Sequence, residues 1–205
     1  MSLYGRFILP RLIDLVMRNE ADTAERARLM PLASGVVLEV GVGSALNVPH
    51  YKSDVQILYA VDPSMELWRI GRGRLGTPPF PVRYLAASAE RLPLGDARID
   101  TVVSTWTLCT IADARAALGE MRRVLKPGGR LVFIEHGRAP DPGVRAWQDR
   151  LTPLWRPLAG GCHLNRPIDR LLDEAGFRII TLDRGYGSGP RIMSYLYKGV
   201  AAVAG

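Results

Sequence analysis

Short apolar runs alternate with helically patterned segments along most of the chain. An apolar run bounded by glycine or proline is typical of a buried strand, whereas apolar residues three and four positions apart indicate a helix that packs on one face. The predicted strands are residues 36–40, 55–61, 82–86, 99–104, 130–135, 177–182 and 191–197. The predicted helices are residues 64–75, 112–125 and 168–175, and residues 6–30 also have helical spacing.

The order of these segments predicts the fold class. Strands separated by helices give a mainly parallel sheet that is covered on both faces, which is an α/β architecture. The last two predicted strands have no helix between them, so we expect an antiparallel hairpin at one edge of the sheet. The whole chain, residues 1–205, is predicted to be one domain.

The composition supports an ordered domain and excludes several classes of protein. The chain has 205 residues, of which 47% are hydrophobic and 23% are charged, and this rules out a disordered or fibrous chain. Two cysteines are too few for a disulfide framework. No apolar run approaches the roughly 18 residues of a membrane-spanning helix. Charged residues throughout residues 1–20 do not match a signal peptide, so we expect a cytoplasmic protein.

The formal net charge of +7 is spread along the chain. Lysine occurs only three times, so nearly all the positive charge is arginine. A diffuse excess fits weak attraction to an anionic membrane surface or to acidic substrates. It does not form the basic stripe that is typical of nucleic-acid binding, and we expect no nucleic-acid partner. The oligomeric state is left open.

Two glycines follow the first predicted strand, where the chain is expected to turn into a helix. Gly41 and Gly43 permit unusual backbone angles and close approach of a ligand to the main chain. Asp62 closes the next predicted strand, about twenty residues on, where an acidic side chain commonly binds ribose hydroxyls. Leu46 replaces the small sixth residue of the dinucleotide fingerprint and disfavours a nicotinamide dehydrogenase. The alternative is a tight turn without a ligand.

Around these residues the sequence resembles the class I S-adenosylmethionine (SAM)-dependent methyltransferases. The resemblance rests on residues 38–45, 60–64, 87–93, 99–104 and 121–131, in the order and at the spacing of that family. It implies a Rossmann-like, doubly wound sheet of seven mostly parallel strands with an antiparallel edge strand and an N-terminal lid helix. It also implies SAM as the cofactor and S-adenosylhomocysteine as a product. Residues 1–30 and 138–167 are predicted to cover the active site.

The resemblance also assigns a set of cofactor contacts. Gly41 and Gly43 would line the methionine part of SAM, and Asp62 would hold the ribose hydroxyls. The remaining implied contacts are Asn47, Pro63, Met65, Ser88, Ala89, Glu90 and Thr105. Glu39 is predicted either to orient the ammonium group or to cap backbone amides at the strand end. The family commonly has glycine at position 45 and aspartate at position 88, where this chain has Ala45 and Ser88.

A second group of segments narrows the resemblance. Residues 11–14, 106–111, 133–137, 147–149 and 161–166 are similar to the methyltransferase-like 7 family of thiol S-methyltransferases and its bacterial relatives. This implies a small or lipophilic acceptor, most of all a thiol. One alternative is N-, O- or C-methylation of a phospholipid or quinone at a membrane surface, where residues 7–16 would lie on the bilayer. The other is a non-catalytic SAM-binding protein.

Polar clusters follow the fourth and fifth predicted strands, at the sheet edge where ligands gather. A thiol must lose its proton before methylation, and a neutral histidine is a suitable acceptor for that proton. His136 is the first candidate and His163 the second, with the alternative that each only bonds the surrounding loop. Arg138 or Arg166 would instead stabilise a thiolate.

The two cysteines are not expected to carry chemistry. Cys109 lies among apolar neighbours, where a thiol behaves as a small hydrophobic group. Cys162 and His163 together supply too few ligands for zinc, and no C-x-x-C pair is present. We therefore expect no metal site. The tryptophans Trp106, Trp147 and Trp155 are predicted to pack in the core or along the acceptor pocket.

Overall fold

Seven strands form a single twisted sheet in the computed structural model, which describes residues 3–203. In chain order they are β1 (Gly35–Val40), β2 (Val55–Val61), β3 (Val82–Leu85), β4 (Ile99–Thr105), β5 (Leu125–His136), β6 (Phe177–Tyr186) and β7 (Tyr195–Val203). The spatial order is β3-β2-β1-β4-β5-β7-β6. β1 to β5 pair in parallel, and β7 runs antiparallel to both β5 and β6. The predicted α/β fold is confirmed, with β6 at the edge and the antiparallel strand β7 beside it.

Six α-helices accompany the sheet within residues 3–203. They are α1 (Leu9–Val16), α2 (Glu20–Leu29), α3 (Met65–Gly71), α4 (Ala114–Val124), α5 (Pro142–Leu158) and α6 (Ile168–Glu174). A short π-helix at Tyr4–Ile8 precedes α1. The predicted helical stretch 6–30 is divided into separate helices at Asn19. The Asn19 side chain accepts a hydrogen bond from the Asp22 amide and so caps the start of α2. None of the helices among residues 3–203 is long and apolar enough to cross a membrane.

The two faces of the sheet bury alternate residues of its central strands. Leu38, Val102 and Phe133 point into a cluster that α4 and α6 cover. Their neighbours Val37 and Val103 point into a second cluster, which includes the end of α2 and the segment after β1. Because side chains alternate along a strand, continuous apolar runs are what a sheet buried on both faces requires.

Three strands differ from the prediction by more than one residue, namely β5, β6 and β7. β6 ends at Tyr186 rather than at residue 182. β5 begins at Leu125, directly after α4, rather than at residue 130, and its pairing with β4 shifts register between Leu125 and Arg130. Gly128 takes a φ of +77° inside this strand. β7 covers Tyr195–Val203 rather than residues 191–197, since Pro190 is followed by a turn and the small residues near the C-terminus continue the pairing.

The helix predicted directly after β1 is a further correction. Residues 41–47 form turns, and Val48–His50 is a single 3-10 turn. Ala45 takes a left-handed φ of +59° there, which is incompatible with a continuous right-handed helix. Gly71 of α3 packs directly on the backbone of Ser44. The segment after β1 is therefore fixed by its neighbours rather than by helical hydrogen bonds.

Candidate active site

The carboxyl ends of β1, β2, β4 and β5 meet at one edge of the sheet, where open α/β sheets bind ligands. Gly41 and Gly43 form the turn after β1, with φ angles of +74° and +53°. The Gly41 amide donates to the carbonyl of Val61 at 2.8 Å. A Cβ at Gly41 would collide with the Thr107 hydroxyl, so glycine is required where the loops after β1 and β4 touch.

Glu39 anchors the segment after β1. Its buried carboxylate accepts hydrogen bonds from the Asn47 amide and the Tyr51 hydroxyl, both at 2.8 Å. The same Asn47 amide donates to Oγ1 of Thr105 at 2.9 Å and so reaches β4. Burial raises the pKa of Glu39 to about 7. The predicted alternative of a cap on backbone amides is wrong, because both partners are side chains.

Asn47 presents a second group that these bonds do not satisfy. Its Oδ1 atom is buried and has no hydrogen-bond partner anywhere in residues 3–203. A buried acceptor without a donor costs about 1–3 kcal/mol, so its presence at a candidate ligand site is informative. An ammonium group is the kind of donor that this oxygen lacks. Asn47 and Glu39 therefore both stay candidates for the predicted ammonium contact.

Asp62 lies at the end of β2, beside the glycine turn. It accepts hydrogen bonds from the Gly43 amide at 2.9 Å and the Ser64 amide at 2.7 Å. Burial raises the pKa of its carboxyl, while the two amide bonds act in the opposite direction. One amide bonds each oxygen, which leaves further acceptor capacity on both. Asp62 therefore braces the turn and also offers the acidic group that was predicted for ribose hydroxyls.

Five of the implied cofactor contacts follow the ends of β2 and β3. Ser88 donates to the carboxylate of Glu90, which also accepts the Asp113 amide at 3.1 Å. Ala89 is buried, and Pro63 and Met65 are exposed at the turn into α3. Ser88 and Glu90 are thus committed to one another and to the turn that begins α4. They stay predicted cofactor contacts.

A cavity of about 230 Å³ opens beside the glycine turn and carries strong positive charge. It is lined by Arg18, Thr23, Arg26, Ala45, Leu46, Pro49, His50 and Arg74. Arg26 is buried, donates to the Met17 carbonyl at 2.9 Å and lies over the Trp106 ring at 4.7 Å. Its Nε atom has no hydrogen-bond partner among the residues described. Nothing in its helical sequence context distinguishes Arg26 from the arginines around it, so the sequence did not reveal it.

The N-terminal helices cover this cavity. Asp14 on α1 forms an ion pair with Arg74, beyond the end of α3, and accepts a further hydrogen bond from it at 2.8 Å. Arg18 approaches the same carboxylate at 3.3 Å. Within the predicted lid of residues 1–30, residues 1 and 2 lie outside those described. The segment from α1 to α2 is therefore held at the cofactor side of the sheet.

Glu135 on β5 organises the loop that follows β4. Its buried carboxylate accepts hydrogen bonds from the Ser104 hydroxyl at 2.7 Å and from the Thr107 and Leu108 amides at 2.9 and 3.0 Å. Burial raises the pKa of this carboxyl to about 7. Trp106 takes a left-handed φ of +48° within the loop. The Glu135 bonds on either side hold this unfavourable conformation in place.

Three distant segments bring two thiols and an imidazole together. Cys109 follows β4, His136 ends β5, and Cys162 lies between α5 and α6. The Nε2 atom of His136 is 3.9 Å from Sγ of Cys162. The two Sγ atoms and a ring nitrogen all lie within 4.8 Å of one another. We call these three residues the sulfur–imidazole cluster.

Two of the three residues of the cluster are buried. Cys109 and His136 are 3% and 6% exposed, whereas Cys162 is half-buried. Contact with the Cys109 sulfur, and then with His136, lowers the pKa of Cys162. The same contact with Cys162 raises the pKa of Cys109, whose own thiol donates to the Trp106 carbonyl at 3.5 Å. The contact thus favours ionisation of Cys162 over Cys109.

The remaining acceptor-side residues hold the loops together. The His163 amide and ring Nδ1 both approach the Cys109 carbonyl, at 2.8 and 3.1 Å. Burial, and then Arg166, lower the pKa of His163 and favour its neutral form. Arg166 donates to the carbonyls of Leu108 and Ala112. Arg138 faces away toward Asp149, at 3.4 Å.

Helix α5 closes the acceptor side. Gln148 is fully buried and bonds three backbone groups, namely the Ala139 amide and the Gly137 and Ile192 carbonyls, at 2.9 to 3.1 Å. Near the end of the helix the indole N–H of Trp155 is buried next to Cys162. Trp147 is 55% exposed, so the prediction that it packs in the core or the pocket is wrong.

Comparisons with known proteins place this geometry in context. A family model described as a methyltransferase domain matches residues 38–133. The thiol S-methyltransferase TMT1B of Rattus norvegicus is 32% identical over 173 residues, which is 79% of this chain and 70% of that protein. A demethylmenaquinone methyltransferase of Clavibacter sepedonicus is 32% identical over 119 residues, or 58% of this chain and 48% of that one.

A solved structure agrees in fold. A SAM-dependent methyltransferase of Leishmania major superposes with a TM-score of 0.71, covering 97% of this chain and 80% of that chain at 16% identity. At this identity the likeness shows the fold alone. Together with the sequence relatives, it places the glycine turn and Asp62 in a sheet of methyltransferase topology.

Proposed function

This chain belongs to the SAM-dependent methyltransferases, in the family that contains the thiol S-methyltransferase TMT1B, and we propose that it methylates the sulfur of a small or lipophilic thiol. Methyl transfer to some acceptor follows from the family, and a non-catalytic SAM-binding role has no support. The nicotinamide dehydrogenase considered from the glycine pattern is set aside for the same reason. The choice of a thiol as acceptor is the proposal.

The cofactor side of the site fits SAM. SAM has no phosphate, so it needs acceptors for an ammonium and for hydroxyls, together with a cation for its carboxylate. Asn47 Oδ1 would accept from the ammonium, Arg26 would pair with the carboxylate, and Asp62 would accept from the ribose hydroxyls. When bound, SAM supplies a methyl group on a positively charged sulfonium. The unpaired Asn47 oxygen and Arg26 nitrogen are the groups that such a ligand would satisfy.

The choice of a thiol acceptor rests on the loop after β4, which reaches both the glycine turn and the sulfur–imidazole cluster. Thr107 contacts the glycine turn, and two residues later in the same loop Cys109 meets His136 and Cys162. A thiol held at the cluster would therefore lie next to the cofactor crevice. Positioning of two reactants in this way contributes on the order of 7–11 kcal/mol to a displacement reaction.

The acceptor side also suits the charge change in the reaction. A free thiol has a pKa near 8.5, so most of it is protonated at neutral pH. Arg166 lies close enough to the cluster to interact with both cysteines and with Glu135. A cation at this distance favours a thiolate over a thiol. Burial of the cluster excludes water, which strengthens the interaction.

Product analysis tests the proposal directly. The purified chain would be incubated with SAM and a mixture of thiol, amine, phenol and phospholipid acceptors, and the products identified by mass spectrometry. We expect a methyl thioether together with an equal amount of S-adenosylhomocysteine. Asp62→Ala should remove the product, whereas Asp54→Ala, exposed immediately before β2, should keep it. Binding of SAM without methylation of any thiol in the panel would refute the proposal.

A second candidate is methylation of a quinone-like or other lipophilic acceptor at a membrane surface, and one surface feature favours it. Apolar side chains that are about half exposed or more lie on the N-terminal helices and on α5, namely Phe7, Ile8, Leu12, Leu15, Val16, Leu154 and Leu158. A hydrogen bond of 2.7 Å from the Tyr4 hydroxyl to the Leu158 carbonyl joins the two regions. Exposed apolar patches of this kind mark interaction surfaces.

Vesicle binding separates this candidate from the first. The chain would be sedimented with vesicles of phosphatidylcholine alone and with vesicles that also contain phosphatidylglycerol, at low and high salt. The candidate predicts binding to the anionic vesicles at low salt and its loss in Leu15→Glu, while Leu32→Glu, exposed outside the patch, should still bind. No sedimentation with either vesicle would exclude the membrane-surface acceptor and leave the thiol proposal intact.

A further inference from the structure

The sulfur–imidazole cluster has the ligand set of a soft metal site. Sγ of Cys109, Sγ of Cys162 and a ring nitrogen of His136 converge from three segments to within 4.8 Å. Zinc binds thiolate at about 2.3 Å and imidazole at about 2.0–2.1 Å, so two ligands on a tetrahedral ion lie about 3.5–3.8 Å apart. The 3.9 Å between His136 Nε2 and Cys162 Sγ is close to that separation. Small side-chain rotations would bring the three atoms onto one ion.

The charge and chemical type of the ligands favour one class of ion. Two thiolates cancel the charge of a divalent cation, so the loaded cluster would be neutral, which a site with two buried members requires. Sulfur and imidazole ligands favour zinc and related borderline-soft ions over magnesium or calcium, which prefer oxygen. Three protein ligands with an open fourth position are typical of catalytic rather than structural zinc sites.

The surroundings of the cluster supply the second shell that such sites need. The Trp155 indole N–H is buried beside Cys162 and donates to no atom of residues 3–203 in a hydrogen bond of normal geometry. It is positioned as a donor toward a metal-bound sulfur. The backbone fixes the loops that carry the cysteines, because the His163 amide donates to the Cys109 carbonyl at 2.8 Å. The ligands are therefore held before any ion binds.

We propose that Cys109, His136 and Cys162 bind one zinc-type divalent cation, and that its fourth position takes the sulfur of the acceptor thiol. The second part rests on the proposed function, and the first does not. On binding, the S–H bond of the acceptor breaks, its proton passes to solvent and a metal–sulfur bond forms. The sulfur then forms its bond to the methyl carbon as the sulfonium–methyl bond breaks, and the metal–sulfur bond breaks as the thioether leaves, which gives a free thioether and S-adenosylhomocysteine. The metal keeps its oxidation state throughout.

This assignment changes two expectations from the sequence. His136 becomes a ligand through Nε2, and the acceptor proton leaves to solvent rather than to the imidazole. The expectation that no metal binds was reached because Cys162 and His163 alone are too few ligands. His163 bonds the Cys109 carbonyl and lies beside the cluster without belonging to it.

Cobalt binding tests the metal site without any methyl transfer. The full chain would be stripped with a chelator and titrated with Co²⁺, whose thiolate complexes absorb strongly in the near ultraviolet. We expect one Co²⁺ per chain, displaced by Zn²⁺. Cys162→Ser should lose this absorbance and weaken binding by about tenfold or more. Asp173→Asn, exposed on α6, is the control and should bind as the unmodified chain does.

Two further measurements keep the proposal falsifiable. His136→Ala provides a second ligand variant if Cys162→Ser does not fold, and circular dichroism reports folding in each case. Adding 2-mercaptoethanol to the Co²⁺-loaded chain, without SAM, should shift the visible cobalt bands as sulfur enters the fourth position. Absence of thiolate absorbance, or equal binding in the ligand variants, would overturn the metal site. Cobalt bands that do not respond to the thiol would overturn the acceptor position alone, whatever the methylation assay gives.

Discussion

Two buried glutamates organise the two halves of the active site in different ways. Glu39, at the end of β1, is bonded by the side chains of Asn47 and Tyr51. Glu135, at the end of β5, is bonded by two backbone amides and the Ser104 hydroxyl. Burial raises the pKa of each to about 7. The cofactor half therefore depends on side chains within one stretch of sequence, whereas the acceptor half depends on backbone conformation imposed from another strand.

This difference has a consequence for function. The side chains that bond Glu39 lie close to it in the sequence, so the local sequence specifies them. The loop beside Glu135 places Thr107 against the cofactor turn and Cys109 against the cluster. A change at Glu135 should therefore disturb both halves, and a change at Glu39 mainly its own.

The largest effect is expected from removal of Glu135. Glu135→Ala leaves two buried amides and a hydroxyl without their acceptor, at about 1–3 kcal/mol each, so unfolding free energy should fall by about 3–5 kcal/mol. Glu135→Gln keeps an acceptor for the amides and a donor for Ser104. Its unfolding free energy should therefore fall by less than about 1 kcal/mol. Urea denaturation measures both. Equal losses in the two variants would contradict the role of the backbone bonds.

The next effect is the pH dependence that Glu39 imposes. Its pKa is 4.5 when unfolded and about 7 when folded, so between these values the native state binds more protons. Stability from this group is full below pH 4.5 and is lost as pH rises through 7, by about 3 kcal/mol in total. Arg26, Asp62 and Tyr51 are the titratable groups that face it.

Glu39→Gln tests this dependence, because the amide cannot titrate, while its oxygen still accepts from Asn47 and its NH2 group donates to the Tyr51 oxygen. Urea denaturation of both proteins at pH 5 and pH 8 should show a smaller loss of stability in the variant. Parallel pH profiles of the two proteins would show that Glu39 does not ionise in this range.

A comparable effect on binding is expected at Asp62. Asp62→Ala removes the acceptor of the Gly43 and Ser64 amides and the predicted partner of the ribose hydroxyls. Affinity for SAM should fall on the order of 100-fold, which is about 2.7 kcal/mol. Isothermal titration calorimetry measures it, with Asp54→Ala, exposed immediately before β2, as a control of equal charge change. Unchanged affinity would place the cofactor elsewhere.

The smallest effect concerns Ala45, which takes a φ of +59° in the cofactor half. A left-handed residue other than glycine costs about 1–2 kcal/mol, and the extra freedom of glycine in the unfolded chain offsets about 0.5–1 kcal/mol of this. Ala45→Gly should therefore stabilise the chain by about 0.5 kcal/mol in urea denaturation. Ala116→Gly, exposed in α4, should destabilise it by about 1 kcal/mol. Loss of stability in both would show that Ala45 is unstrained.

Much of the fold follows from sequence pattern alone. β2 covers the predicted residues, and β1, β3 and β4 differ from prediction by one residue at one end. The central strands β1 and β4 are buried on both faces, so their apolar residues are nearly continuous, whereas β3 lies at the sheet edge and none of its residues is fully buried. The prediction failed where tertiary contacts override local preference. Gly128 interrupts the apolar pattern of β5 without ending the strand. After β1, packing of Gly71 on the Ser44 backbone fixes the segment where a helix was expected.

The site divides in the same way. The glycines and Asp62 were recognisable because one continuous motif contains them. The sulfur–imidazole cluster was not, since Cys109, His136 and Cys162 come from three segments and no local spacing connects them. Arg26 was also missed, because only its burial over Trp106 distinguishes it from Arg28, the other arginine of α2.

The three backbone bonds of Gln148 hold α5 in place on the acceptor side. Swinging α5 away would leave the polar groups of Gly137, Ala139 and Ile192 without partners, at about 1–3 kcal/mol each. The stretch that follows α5 is fixed as well, because the His163 amide donates to the Cys109 carbonyl at 2.8 Å. We therefore expect the acceptor side to have a rigid wall, and the shape of that wall to limit which acceptors fit.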